Sequence, residues 1–425
     1  MFQFDSLDNG VRLLTSHNDD APSATALVMF GVGSRFEERQ QSGIAHFAEH
    51  MFFKGTERRP TARDISVEID GIGGDFNAFT GKEYTGYYVK CAAEHLPLAV
   101  DVLGDMLLHS KFDPEELERE KGVILEEMAM YRDLPQRYVG NVYDDLLYGD
   151  TPLGWDIIGT EEVIKGADQA LFTSFTDRWY TANRVVVGLA GNVSQAAHDM
   201  VAKHFVDIPE ANEGTREAAK WTQDGPQVKL HHKDSEQAHL LLGVRAPGLD
   251  NKDRYAIGVM NAILGGGMSS RLFTEVRERR GLCYYVHSHH DAYMDTGSLV
   301  VAAGVDTNRI DLAITTILEE LGKMGNEGPD DAEFTKAKNY LKGKFVLGVE
   351  DPRGLIMFGA RREVVEGKYW EPKDALDAIE AVTMEDVKRV ARELFGSDQL
   401  NLAVVGPFDD ETRFEKLLVP AAAMA

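Results

Sequence analysis

The chain has 425 residues, 43% hydrophobic and 27% charged, with 70 acidic against 45 basic side chains and a formal net charge of −25 at pH 7. That length exceeds one compact core and points to about two or three domains. The acidity excludes a nucleic-acid footprint, which needs basic side chains against phosphate, and no apolar run approaches the roughly 20 residues that span a bilayer.

The N-terminal MFQFDSLDNGVRLLTS has neither a basic nor an apolar signal region, so a cytoplasmic location is expected. Two cysteines, Cys91 and Cys283, form no metal-binding spacing and suit a reducing compartment. Strands are expected at Val11 to Ser16 and Ala24 to Val32, then a helix around Gly43 to Phe53. Thr61 and Asp64 have capping-box spacing and start a helix that runs through Asp70. The glycine-rich GIGG, Gly71 to Gly74, ends it. DFNAFTGKEYTGYYVKCA combines aromatic and threonine residues around a Gly-Lys-Glu turn and reads as a β-hairpin. Helical patterns follow at Glu94 to Ser110 and at Pro114 to Arg132, the second with Asp113 as its cap.

Residues 209–227 are polar, proline-containing and without apolar periodicity, and read as a linker. The halves on either side are alike. NRVVVGLAGNV closes the first and QLNLAVVGPF the second, and their glycines, Gly191 and Gly406, lie 215 residues apart. Near the start of each half, ATALVMFGVGS corresponds to AHLLLGVRAPG. Self-similarity at a fixed offset marks duplicated domains. The expected fold is α+β: a domain over 1–208, a linker over 209–227 and a homologous domain over 228–425, each a mainly antiparallel sheet packed against helices.

HFAEHMFF, His46 to Phe53, carries two histidines four apart with a glutamate before the second. On a helix such residues share a face, so His46 and His50 can aim at one ion, with Glu49 beside them. Zinc favours imidazole and carboxylate donors, and Glu49 could take a proton from its water. The order His-x-x-Glu-His is the inverzincin signature. A third ligand would come from EELEREKGVILEEMAMYRD, where Glu120 and Glu127 share a helical face and Glu126 points about 100° away. Spacing alone leaves all three open.

GIAHFAEHMFFKGT, followed by EREKGVILEEM, resembles the pitrilysin and insulin-degrading family of zinc peptidases. It is most similar to the short-chain branch, the bacterial and mitochondrial processing peptidases, and the resemblance covers essentially the whole chain. That family's signature places the ligand glutamate 76 residues after the second histidine, the separation of His50 and Glu127 here. The resemblance implies one zinc ion per chain, held by His46, His50 and Glu127, with Glu49 as general base. It makes Glu120 the second essential glutamate, orienting a ligating histidine.

FNAFTGKEYTGYY resembles the family's active-site hairpin, whose edge strand pairs with an extended substrate. Asn77 and Ala78 match the positions nearest the scissile bond, and Phe79 is grouped with them as a wall of the substrate site. Gly265, Gly266 and Gly267 have the wrong spacing for a dinucleotide fingerprint. They resemble the glycine-rich loop of the processing peptidases, where flexible backbone lets a peptide approach. Arg277 and Tyr284, seven apart, match the pair that the family places over the zinc, to bind substrate carbonyl and donate to the developing oxyanion. Adding 215 to His46 and His50 gives Asn261 and Gly265, so the second domain is expected to lack a metal site.

Long family members enclose a chamber with four such domains. Two domains here imply a homodimer, in which Arg277 and Tyr284 of one subunit complete the zinc site of the other, acting on a peptide or an unfolded polypeptide. Two other readings stand beside this: a non-catalytic structural or assembly subunit, and the catalytic half of a heterodimeric processing peptidase.

Overall fold

The computed structural model describes residues 2–194, 196–210, 214–395 and 399–422. Its first sheet contains β1 (Gln3–Ser6), β2 (Arg12–His17), β3 (Ser23–Phe30), β4 (Asp75–Thr80), β5 (Thr85–Ala92) and β6 (Val185–Gly191), in the order β1-β2-β6-β3-β5-β4. The second contains β7 (Gln227–His232), β8 (Gln237–Ala246), β9 (Cys283–Ala292), β10 (Gly297–Asp306) and β11 (Leu400–Gly406), in the order β7-β11-β8-β10-β9. Every pairing is antiparallel except β2–β6 and β7–β11.

β2-β6-β3-β5-β4 and β7-β11-β8-β10-β9 are the same arrangement, with the parallel pair in the same place. Val185 and Gly191 bound β6, and adding 215 gives Leu400 and Gly406, the bounds of β11. The α+β class expected from the sequence is therefore the observed one. No helix among the described residues is long and apolar enough to cross a membrane.

The compact units are not the contiguous halves 1–208 and 228–425. One unit comprises Met1–Met128, Asp156–Glu217 and Val346–Lys373; the other comprises Ala129–Trp155, Ala218–Phe345 and Asp374–Ala425. Each unit takes a helix from the sequence half that builds the other, because each sheet has two faces to cover. In the first unit, Leu27 and Met29 of β3, with Leu14 and Val186, pack against Ile356 and Ala360 of helix Pro352–Arg361. Asp351 pins the start of that helix, accepting from Gly354 N at 2.8 Å and pairing with Lys90 Nζ at 2.8 Å. In the second unit, Leu241, Val300 and Ala403 pack against Val139, Val142 and Leu147 of helix Pro135–Tyr148. The opposite face, through Leu240, Leu242 and Val244 of β8, carries the larger core, which includes Ile263 and Ile317.

The expected linker has no regular structure over residues 214–226, and residues 211–213 lie outside the described residues. One of the places where the chain passes between the units falls inside it, between Glu217 and Ala218.

Candidate metal centre

The site is built on helix Ile44–Phe52. Gly43 precedes it at φ 98°, a left-handed conformation that glycine adopts without strain. The Glu37 carboxylate caps the first turn, accepting from Gly43 N and Ala45 N at 2.8 Å each. Burial pushes the Glu37 carboxyl up to about 8, against the lowering effect of those two bonds. Ile44, Ala45, Phe47, Ala48, Met51 and Phe52 are buried. Phe47 packs edge-on to Phe172 at 4.9 Å, and Phe52 to Tyr87 at 5.5 Å. This apolar face fixes the helix roll and leaves His46, Glu49 and His50 half-buried on the remaining side.

Helix Pro114–Asp133 brings Glu127 to the two histidines. One ligand atom each from His46, His50 and Glu127 lies within 4.8 Å of the others, the only group of three such donors among the described residues. Glu127 Oε2 is 3.9 Å from His46 Nε2 and 3.6 Å from His50 Nε2, and the imidazole centroids are 4.7 Å apart. Glu126, one residue away, is exposed.

Glu120, two turns earlier on the same helix face, is buried and sits 2.9 Å from His50 Nδ1 and 2.5 Å from Lys54 Nζ. Burial pushes its carboxyl up, but the hydrogen bonds from His50 and Lys54 outweigh this and hold its pKa below the ordinary value. The ionised Glu120 accepts from Nδ1–H of His50, which leaves the His50 Nε2 lone pair on the side of Glu127. Burial, and then the neighbouring His50, push the His46 imidazole down to about 3, so it is neutral and can donate a lone pair. Two imidazole nitrogens and one carboxylate oxygen are preferred zinc donors. These residues fit a zinc ion.

Glu49 is tied to the adjoining sheet: Thr80 Oγ1 donates to Glu49 Oε2 at 2.5 Å. Burial raises the Glu49 carboxyl, partly opposed by the Thr80 bond and His50. Thr80 ends β4, which among the described residues pairs only with β5 and is the edge of its sheet. On that strand Asn77 is exposed, its Oδ1 accepting from Ala78 N at 2.8 Å. Phe79 packs over Gly86, where a Cβ would lie 2.2 Å from its ring, and against Tyr84 with centroids 6.0 Å apart. Its ring is therefore part of the packing on that face. The buried pair Arg35–Glu83, at 2.6 Å, steadies the β4–β5 turn.

Arg277 and Tyr284 come together in the second unit. Arg277 lies in a π-helical turn, Phe273–Glu278, with its guanidinium carbon 4.7 Å from the Phe273 ring and 5.7 Å from the Tyr284 ring. The β9–β10 register shifts beside Tyr284, between the partners Tyr285–Gly304 and Cys283–Val305. The bulge turns Tyr284 outward, 76% exposed. Gly265 and Gly266 are needed for close packing: a Cβ on Gly265 would be 2.2 Å from Ser288 N, and one on Gly266 2.7 Å from Ala262 Cα. The Tyr340 hydroxyl donates to the Gly266 carbonyl, and a Cβ on Gly267 would lie 3.4 Å from the Tyr340 ring. Asn261 and Gly265, the counterparts of the histidines, lie on helix Arg254–Gly265.

Thr80, Lys54 and Glu37 were not found by sequence reasoning. Each acts across a gap of at least six residues, through register or loop geometry that no motif encodes.

An edge strand, a histidine helix and a remote glutamate that together present a zinc-type donor set define a candidate metallopeptidase architecture. Residues 12–161 match the family described as Insulinase (Peptidase family M16), and residues 168–341 match the Peptidase M16 inactive domain. The chain is 37% identical over 399 residues to the uncharacterized zinc protease YmxG of Bacillus subtilis, covering 94% of this chain and 97% of that one. It is 39% identical over 410 residues to an uncharacterized zinc protease of Mycobacterium leprae, covering 95% and 91%. The chain belongs to peptidase family M16. Its fold is shared by a protease from Helicobacter pylori, with TM-score 0.88, 24% identity and coverage of 96% and 99%. It is shared also by a chain of Complex III2 from Candida albicans, with TM-score 0.81, 17% identity and coverage of 98% and 99%.

Proposed function

We propose that the protein is a zinc-dependent endopeptidase that cleaves short or unfolded polypeptides in a chamber formed by two copies of the chain. The observation that carries this reading is the convergence of His46, His50 and Glu127, with Glu49 held beside them by Thr80. His46 Nε2, His50 Nε2 and a Glu127 oxygen would hold one zinc ion per chain. When bound, zinc supplies Lewis acidity toward water and the scissile carbonyl. Glu49 is the general base: Thr80 occupies Oε2, so Oε1 accepts the proton from the attacking water and passes it to the leaving amine. The free edge of β4 pairs with the substrate main chain, presented by Asn77 and Ala78, which favours extended over folded substrates. Tyr284 donates its hydroxyl to the substrate carbonyl oxygen as negative charge develops, and Arg277 binds a neighbouring carbonyl. Gly265 to Gly267 border the path of the chain, and Phe79 supports β4 from behind.

Removing the Glu120 carboxylate, in Glu120→Ala, should weaken zinc binding about 10- to 100-fold, read by competition with a chelator. Unchanged zinc affinity would remove Glu120 from its positioning role. Thr80→Val should lower kcat about tenfold or more with zinc content and KM retained, while Thr80→Ser keeps most activity. A valine variant with full kcat would show that Glu49 is positioned without Thr80.

In the homodimer, Arg277 and Tyr284 reach the zinc site of the partner copy. Glu49→Gln and Arg277→Ala, each inactive alone, should recover about a quarter of wild-type activity when mixed, since half the dimers are mixed and each has one intact site of two. No recovery, with subunit exchange proven by mass, would place the pair in cis or in a different partner. The Complex III2 neighbour shares only the fold, and the complete donor set here favours the peptidase over a structural subunit.

A further inference from the structure

In the second unit, helix Pro135–Tyr148 and strands β8, β9 and β10 line a cavity of about 510 Å³. Val139, Leu241 and Ala302 give it an apolar floor, and Gln136, Arg137, His287 and His289 supply its polar heads. Among the described residues no acidic side chain lines it, in a chain with 70 acidic against 45 basic residues. Tyr284, turned out at the bulge, takes no part in it.

One of the heads, His289, and the neighbouring Tyr285 have protein partners. His289 Nε2 is 3.1 Å from Asp291 Oδ2, and Tyr285, at the cavity wall, meets His239 Nδ1 at 2.9 Å through its hydroxyl. The rings of Tyr285, His287 and His289 follow one another at 5.9 and 5.6 Å, a tier set by the two-residue period of β9. Among the described residues, no carboxylate pairs with Arg137, whose guanidinium lies 5.5 Å from the Tyr131 ring, and no side chain bonds to the His287 ring nitrogens.

We propose that this cavity binds a carboxylate carried on a small apolar body. The Arg137 guanidinium offers a fixed fork of donors that matches the two oxygens of a carboxylate. Any charge on His289 is offset by Asp291, so the cavity presents one unpaired permanent cation and suits a monoanion better than a phosphate dianion. The His287 imidazole adds an N–H, and the apolar floor accommodates the body of the ligand. That carboxylate belongs either to a free small molecule or to the C-terminus of a polypeptide.

The test is calorimetric titration of the full-length zinc-loaded protein with benzoate, and with benzamide as the uncharged control. Benzoate should bind saturably and at least about tenfold more tightly than benzamide, and Arg137→Ala should weaken it about 10- to 100-fold, with Arg137→Lys in between. Zinc content and thermal melting verify that the variants are folded. In wild type, benzoate should shift the ring signals of His287 and His289 in nuclear magnetic resonance spectra and leave those of His46 and His50 in place. Equal binding of benzamide, undiminished binding to a folded Arg137→Ala, or shifts confined to His46 and His50 would each overturn the proposal. A tetrapeptide acid that binds where its C-terminal amide does not assigns the carboxylate to a polypeptide end. Binding of benzoate without the peptide acid assigns it to a small molecule.

Discussion

Glu49→Gln is expected to lower peptide hydrolysis about 10²- to 10⁴-fold while leaving the zinc content unchanged. Glutamine keeps the size of the side chain and an oxygen to accept from Thr80 Oγ1, so β4 and the histidine helix stay joined. It removes only the ability to take up a proton. The buried carboxyl makes the loss large: burial already raises its pKa, which makes it a better base than an exposed glutamate. The ligand atoms on His46, His50 and Glu127 are untouched, so metal analysis should match wild type. Normal turnover of an unstructured peptide by this variant would remove Glu49 from its assigned role.

A fragment of residues 1–217 is expected not to fold cooperatively, although it contains every strand of the first sheet and all three metal-binding side chains. Without helix Pro352–Arg361, the side chains of Leu14, Leu27, Met29 and Val186 lose their cover. Full burial of one such side chain is worth about 1.5–3 kcal/mol, and the stability of a whole domain is about 5–15 kcal/mol. Uncovering one face of four of them therefore removes a large share of the total. The fragment should bind a hydrophobic dye and melt without a sharp transition. The same fragment joined to residues 346–373 by a flexible tether should regain cooperative melting and zinc binding. Cooperative melting of 1–217 alone would show that the helix is dispensable to the unit.

The histidine helix was legible because its message is local: an apolar face, a glycine before it, and two histidines at i and i+4. The capping box at Thr61 and Asp64 was legible for the same reason, and the backbone bond from Asp64 N to Thr61 Oγ1 forms at 3.2 Å. The duplication could be read from two strands with equal offset. The choice among Glu120, Glu126 and Glu127 could not be made from spacing, and rested on family resemblance until geometry placed Glu127 at the histidines and Glu120 behind His50. Helix assignment to a sheet was illegible. The apolar stripe of Pro352–Arg361 shows that one face is buried, but the same stripe would fit either sheet. Hence the contiguous halves were the natural sequence reading, and the observed units differ from them. The β-bulge at Tyr284 and the π-helical turn at Arg277 had no sequence signal either, since both arise from how neighbouring segments meet.

The discontinuous first unit has a timetable written into it. β6 is the last strand of its sheet to be made, ending at Gly191, and its second cover begins at Val346, 155 residues later. A ribosome adding about 5–20 residues per second needs roughly 8–30 s for that stretch. For that interval the nascent sheet has all its strands and one bare apolar face. During the wait the chain makes most of its second unit, so the metal-binding unit, although first begun, cannot be closed until much of the other has been made.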